Sequence, residues 1–135
     1  MAVTYTGLRG IKTAADEALD SLKSNDEILG MGITGLKNKR FNEFWRHWSN
    51  KRIKKKIQAR HIFSESDDYF NTFKKIRYTK TRTLSGITPV AVDIFGNDKV
   101  LLLNYDEPVS CILLYGENVA ASFKQFFEQL WKMAK

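Results

Sequence analysis

Apolar residues Ile11, Ala15, Ala18, Leu19 and Leu22 recur at helical spacing, with Asp16, Glu17 and Asp20 on the opposite face, and predict an amphipathic first helix. Asn25-Asp26 turn the chain into EILGMGI, a short apolar segment ending near glycine that reads as a buried strand. Phe41, Phe44, Trp45 and Trp48 form the stripe of a second helix near Phe41 to Lys56, which runs into a strand at IQARHIF. SESDD then interrupts with capping residues, and Tyr69, Phe70, Phe73 and Ile76 predict a short third helix. Three strands are expected after it. Val90, Val92 and Ile94 alternate, FGND supplies turn residues, KVLLLNY returns, and DEP turns again into VSCILLY. Gly116-Glu117-Asn118 open a last helix whose apolar positions are Val119, Phe123, Phe126, Phe127, Leu130, Trp131 and Ala134. Alternating helices and strands followed by consecutive strands predict an α/β sandwich with a mixed β-sheet and helices packed on it.

The chain has 135 residues, 43% hydrophobic and 13% aromatic, enough to bury the core of one domain, expected over residues 1–135. No apolar run approaches the roughly 20 residues needed to cross a bilayer. MAVTYTGLRG also lacks the basic-then-apolar order of a signal peptide, so a cytoplasmic protein without membrane contact is expected. The single cysteine, Cys111, lies within VSCILL and is expected to be a buried small hydrophobe.

A net charge of +7 invites a nucleic-acid or anionic-ligand reading. Most of it lies in two stretches, one holding Arg46, Lys51, Arg52, Lys54, Lys55 and Lys56, the other KKIRYTKTR from Lys74 to Arg82. Specific duplex recognition needs a projecting helix with polar and basic residues. The helix bearing Phe41, Phe44, Trp45 and Trp48 must instead turn those aromatics inward, and its basic outer face reads as solvated. A nucleic-acid-binding module using the basic 46–60 surface stays open as an alternative.

Residues 30–35, GMGITG, match the dinucleotide fingerprint G-x-G-x-x-G. That site also needs a helix immediately after the strand and an acid about 20 residues on. Here LKNKR intervenes, and the count reaches Lys54-Lys55-Lys56, so no nicotinamide or other cofactor is expected. The glycines are read instead as a sharp strand end whose backbone amides are free to meet an anion. His61, Ser64, Glu65, Asp67 and Asp68 could assemble an acid-base or metal site, but one histidine is present there and SESDD is also a helix N-cap with first-turn acids. No catalytic or metal residue is assigned. Arg52 falls in the middle of the aromatic arc while Lys51, Lys54 and His47 point away. It must either snorkel outward, pair with Asp93 or Glu65, or face a site.

The tail AVDIFGNDKVLLLNYDEPVSCILLYGENVAASFKQFFEQLW resembles the end of a phospholipase D-like half-domain. Together with GLRGIKTAADEALDSLKSNDEILGMG, with FNEFWRHWSNKRIKKKIQARHIFSES, and with the element near Arg82 and Leu84, it resembles the C-terminal effector-sensing domain of TrmB-family archaeal transcriptional regulators. The resemblance implies a phospholipase D-like sandwich that senses a small polar or anionic effector, such as a sugar or sugar phosphate. It also implies a homodimer, consistent with nine Phe, five Tyr and three Trp in so small a chain. No winged helix-turn-helix is expected before Tyr5, so DNA contact is expected only through a separate winged-helix domain.

Catalytic relatives carry His-x-Lys-x4-Asp before the glycine turn. Here Thr88 or Pro89 stands at the histidine and Val90 or Ala91 at the lysine, and LLLNY replaces a Gly-Ser-x-Asn region. The resemblance therefore implies a catalytically silent domain, with a phosphodiesterase-type enzyme as second alternative. The vacated site would gather Arg52, the amides of Gly30, Gly32 and Gly35, and His61, Ser64 and Glu65 around the effector.

Overall fold

The computed structural model describes residues 1–86 and 90–135, and the Thr88 and Pro89 positions weighed above lie outside them. The elements are β1 (Ala2–Thr6), α1 (Gly7–Asp20), β2 (Glu27–Ile33), α2 (Lys39–Lys54), β3 (Gln58–Phe63), α3 (Asp68–Lys74), β4 (Thr79–Thr83), β5 (Ala91–Phe95), β6 (Lys99–Asn104), β7 (Ser110–Tyr115) and α4 (Glu117–Met133). The strands form one mixed sheet in the order β1-β7-β6-β5-β2-β3-β4. Strands β2, β3 and β4 run parallel, and every other neighbouring pair is antiparallel.

The parallel strands are joined through helices, as parallel crossovers require, while β5, β6 and β7 follow one another through tight turns. Helices α1, α2 and α3 cover one face of the sheet. Their apolar stripes, Ile11, Ala14, Ala15, Ala18 and Leu19 from α1, Phe41, Trp45 and Trp48 from α2, and Phe70 and Phe73 from α3, meet Ile28, Ala59, Phe63, Phe95, Leu101 and Leu113 of the strands. On the other face α4 lays Ala120 and Phe127 over Leu29, Met31, Ile62, Val92, Ile94 and Val100. The alternation of Ile28 with Leu29, and of Phe95 with Ile94, splits each strand between the two cores.

Helix ends follow the sequence signals. Asn38 Oδ1 accepts the Arg40 amide at 2.8 Å to start α2, and Asp67 Oδ1 accepts the Phe70 amide at 2.9 Å to start α3, so the SESDD segment does cap a helix. Two edge strands depart from the expected pattern. Strand β4, TKTRT, is wholly polar, and β1, AVTYT, mixes Ala2, Val3 and Tyr5 with two threonines, because an edge strand buries little; four strands follow α3 where three were expected, β4 being the extra one, and β1 precedes the first expected helix. A further correction concerns β2. It spans EILGMGI as expected, but its glycines lie within the strand rather than at a sharp end: Gly30 is paired to both His61 and Asp93, and Gly32 takes φ +70° where the ladder with β3 shifts register.

Candidate functional site

The site begins with a missing side chain. Gly30 lies mid-strand, with His61 of β3 on one side and Asp93 of β5 on the other. A Cβ at Gly30 would come within 2.5 Å of Asp93 Oδ1 and 3.0 Å of His61 Cδ2, so these two side chains occupy the space that glycine leaves above the sheet.

Over this floor, at the end where β2 and β3 finish and β5 begins, stand residues from α2, α3 and the loops. Lys37 follows β2, donates to the Thr34 carbonyl at 2.5 Å, and holds its ammonium 4.0 Å from the centre of the Tyr69 ring and 5.4 Å from that of Tyr105. Tyr105 in turn accepts from Trp45 Nε1 at 2.7 Å. Among the described residues, Trp48 Nε1 and His61 Nδ1 are buried without a hydrogen-bond partner. These groups, with Ile28, Ile33, Phe73 and Leu103 among the apolar walls, line a pocket of about 500 Å³ counted out to the solvent at its mouth.

Burial sets the charge of the pocket. It pushes the Asp93 carboxyl up to about 7, against the pull of the Lys37 charge. It lowers the Lys37 ammonium to about 7, against the pull of Asp67 and Asp93. It lowers His61 to about 3, helped by the nearby Arg52 charge, so the imidazole is neutral near pH 7. The pocket thus offers hydrogen-bonding groups with little net charge, between aromatic walls. Such a surface suits a neutral polar molecule with both apolar faces and hydroxyl or amide groups.

The expected site residues divide. His61 lines the pocket and Gly30 forms its floor. Glu65 reaches its rim by accepting from Thr34 Oγ1 at 2.7 Å. Ser64 instead donates its amide to the Ile33 carbonyl at 2.7 Å, tying the ends of β2 and β3. Gly35 packs against Tyr69 and Asp67, where an added Cβ would approach within 2.6 Å and 2.7 Å, and its carbonyl accepts from Asn42 Nδ2. The three glycines therefore do not form a ring of free amides, because Gly30 is inside a ladder and Gly35 is wedged against α3.

Arg52 is a second correction. It is 1% exposed, as its place in the aromatic arc requires, but it pairs with neither Asp93 nor Glu65 and does not line the pocket. Its guanidinium donates to the Ile57 and Tyr78 carbonyls, each at 2.9 Å, and to Thr79 Oγ1 at 2.6 Å, pinning the loop before β3 to the loop before β4. Residues that sequence reasoning missed are Lys37, Trp48, Tyr69, Asp93 and Tyr105. Asp93 carried a readable signal, a carboxylate within the otherwise apolar VAVDIF.

The 46–60 surface is also redrawn. Lys51 pairs with Asp16 at 3.0 Å, Lys55 Nζ donates to the Leu19 and Asp20 carbonyls, and Arg60 lies on the opposite face, bonded to Glu27 and Glu128. Cys111 is buried and its thiol is pushed up to about 11 by that burial. Among the described residues no group of three or more His, Cys, Asp or Glu could hold a metal ion, and no helix is long and apolar enough to cross a membrane.

The architecture defines the chain as an α/β protein with a seven-stranded mixed sheet and a pocket at one end of it. No family model matches the chain, and no curated protein matches it in sequence. Among solved structures it is similar to TrmBL2, described as an archaeal chromatin protein with a novel mode of DNA binding, with a TM-score of 0.69 and 14% identity over 100% of this chain. The chain spans about half of that protein, 54% of its length, and at this identity the likeness shows the fold alone.

Proposed function

We propose that this is the ligand-sensing, regulatory domain of a TrmB-like transcriptional regulator, phospholipase D-like in fold, which binds a small polar effector and does not catalyse a reaction. The observation that carries the reading is the presence of two buried polar atoms without partners among the described residues, Trp48 Nε1 and His61 Nδ1, in one pocket with Asp93 and Lys37. Buried polar atoms normally have partners, and a ligand that hydrogen-bonds both would supply them. The fold shared with TrmBL2, itself described as a DNA-binding chromatin protein, supports a regulatory role.

A neutral sugar suits the pocket better than a sugar phosphate. Aromatic faces accept the C–H surface of a sugar ring, Asp93 can accept from a hydroxyl, and the single ammonium of Lys37 is already set against Asp93 and Asp67. Binding rather than turnover is supported by the state of the polar groups. Burial lowers His61 to about 3, which leaves it too weak a base to take a proton from a hydroxyl near neutral pH, and the Ser49 hydroxyl is committed to the Trp45 carbonyl at 2.9 Å. Pairing of two copies is proposed on the TrmB resemblance.

The test is calorimetry and tryptophan fluorescence with a panel of neutral sugars and their phosphates, on wild type, Trp48→Phe and Asp93→Asn. Saturable binding to wild type that weakens at least tenfold in both variants is expected. If no compound binds, or if the variants bind equally well, this pocket is not an effector site. Light scattering reads the dimer separately, and a mass staying at 15.6 kDa over a wide concentration range counts against it.

A further inference from the structure

The end of the sheet opposite the pocket carries a second feature, and it stands independently of the effector reading. We infer that the loops preceding β3 and β4 together form a surface that binds the phosphate backbone of duplex nucleic acid. Two basic stretches far apart in sequence meet there because Arg52 donates to the Ile57 and Tyr78 carbonyls, and the Ala59 amide adds a bond to Tyr78 O at 2.8 Å. The junction leaves Lys54, Lys56, Lys74, Lys75 and Arg77 exposed.

Both loops are held in defined shapes. Lys56 and Tyr78 take φ of +60° and +58°, a left-handed conformation that side-chain-bearing residues avoid, and each is fixed beside a carbonyl that Arg52 engages. Holding two non-glycine residues this way sets where the flanking cations project.

Cations at helix C-termini have an ordinary explanation, since each helix end there carries roughly half a negative charge. Helices α2 and α3 both end at this surface, which accounts for about one of the five positive charges. Lys51 and Lys55 already serve other partners, Asp16 and the end of α1. Among the described residues the five form no ion pair. About four charges are left without compensation, which favours a polyanion.

The chemistry selects duplex backbone over other nucleic-acid modes. Both helices present their ends rather than a side to this surface, so none is set to enter a groove. Tyr78, with the Arg77 guanidinium 5.2 Å from its ring centre, is one aromatic rather than the row that single-strand binders stack on. Binding is therefore sequence-independent and steeply salt-dependent, and it adds a DNA contact within this domain to any made by a separate winged helix.

The test is fluorescence anisotropy with a labelled random duplex of about 20 base pairs, in which about four phosphate contacts weaken binding roughly 100-fold between about 50 and 200 mM salt. The variants are Lys54→Ala with Lys56→Ala, Lys74→Ala with Lys75→Ala and Arg77→Ala, and all five together, with Lys12→Ala plus Lys132→Ala as control. Each set is expected to weaken binding and flatten the salt slope while the protein stays folded, the five together abolishing binding, and the control matching wild type. No binding at about 50 mM salt, full binding by the fivefold variant, equal loss in the control, or tighter binding of single strands overturns the inference.

Discussion

His61 and Asp93 flank the same residue of β2, one from each neighbouring strand, and their side chains close over the space where Gly30 has no Cβ. The pocket floor depends on that arrangement. In Gly30→Ala the new methyl would meet Asp93 Oδ1 at 2.5 Å, Ile33 Cδ1 at 2.9 Å and His61 Cδ2 at 3.0 Å. Ile33 can rotate away, but Asp93 and His61 are hemmed in by their own strands. A loss of about 1–3 kcal/mol is expected from overpacking. Urea unfolding measures it, and a variant as stable as wild type would mean that the two side chains are free to move.

The same two residues pull stability in opposite directions with pH. Asp93 titrates at about 7 when folded against an ordinary 3.8, so between those values the folded state holds more protons and stability falls as pH rises. His61 titrates at about 3 against 6.5, so across that window the unfolded state holds more protons and stability rises with pH. In wild type the two slopes largely offset each other. Asp93→Asn is expected to become distinctly more stable from about pH 4 to about 6.5, by a few kcal/mol at about 1.4 per unit, and His61→Gln to become less stable over the same range. Parallel profiles for all three proteins would sink this account.

Lys37 governs the alkaline side. Its ammonium titrates at about 7 when folded against an ordinary 10.5, so the unfolded state holds more protons between those values and stability rises with pH there. Lys37→Met removes the rise. Chemical unfolding of both proteins at about pH 7.5 and 9.5 checks it, with a steeper gain expected in wild type.

How much of this was legible in the sequence follows from burial. Strands β2, β5, β6 and β7 and all four helices have a face that must be apolar, so their periodicity announces them. Strands β1 and β4 are edges, and TKTRT has no reason to show a stripe. The site was harder because it is assembled across the sheet. Gly30 could be picked out as a glycine in a strand, but its role depends on His61 and Asp93, which lie 31 and 63 residues further on and meet it only through register. Helical spacing placed Arg52 on the aromatic face, yet it neither snorkels outward nor pairs with a carboxylate: its partners are two backbone carbonyls and the Thr79 hydroxyl, and carbonyls leave no mark in a sequence.

Asp67 gives a local prediction. Its carboxylate accepts the Phe70 amide and opens a helix of only seven residues, Asp68–Lys74, which has little intrinsic stability of its own. Asp67→Ala is expected to cost about 0.5–2 kcal/mol. Because α3 carries Tyr69 and Phe73 against the pocket, hydrogen exchange in Phe70 to Lys74 should accelerate along with it. Unchanged exchange there would mean that packing alone holds the helix.

Arg52 gives the largest expected effect. It is a fully buried cation with no carboxylate beside it, and burial lowers it to about 10, so it stays charged at neutral pH. Its charge is satisfied by the Ile57 and Tyr78 carbonyls and the Thr79 hydroxyl, and those same bonds hold two loops in which Lys56 and Tyr78 are left-handed. Arg52→Ala removes three hydrogen bonds and opens a cavity, and a loss of about 3–5 kcal/mol is expected. Arg52→Lys keeps the charge but has a single nitrogen that cannot span both loops in the plane of the guanidinium, so it should recover less than half of that loss. Arg52→Met separates charge from packing: if it is nearly as stable as wild type, the stem rather than the guanidinium holds the loops. Urea unfolding ranks the three variants, and the order Lys above Met above Ala, each well below wild type, is the result that the bonding pattern requires.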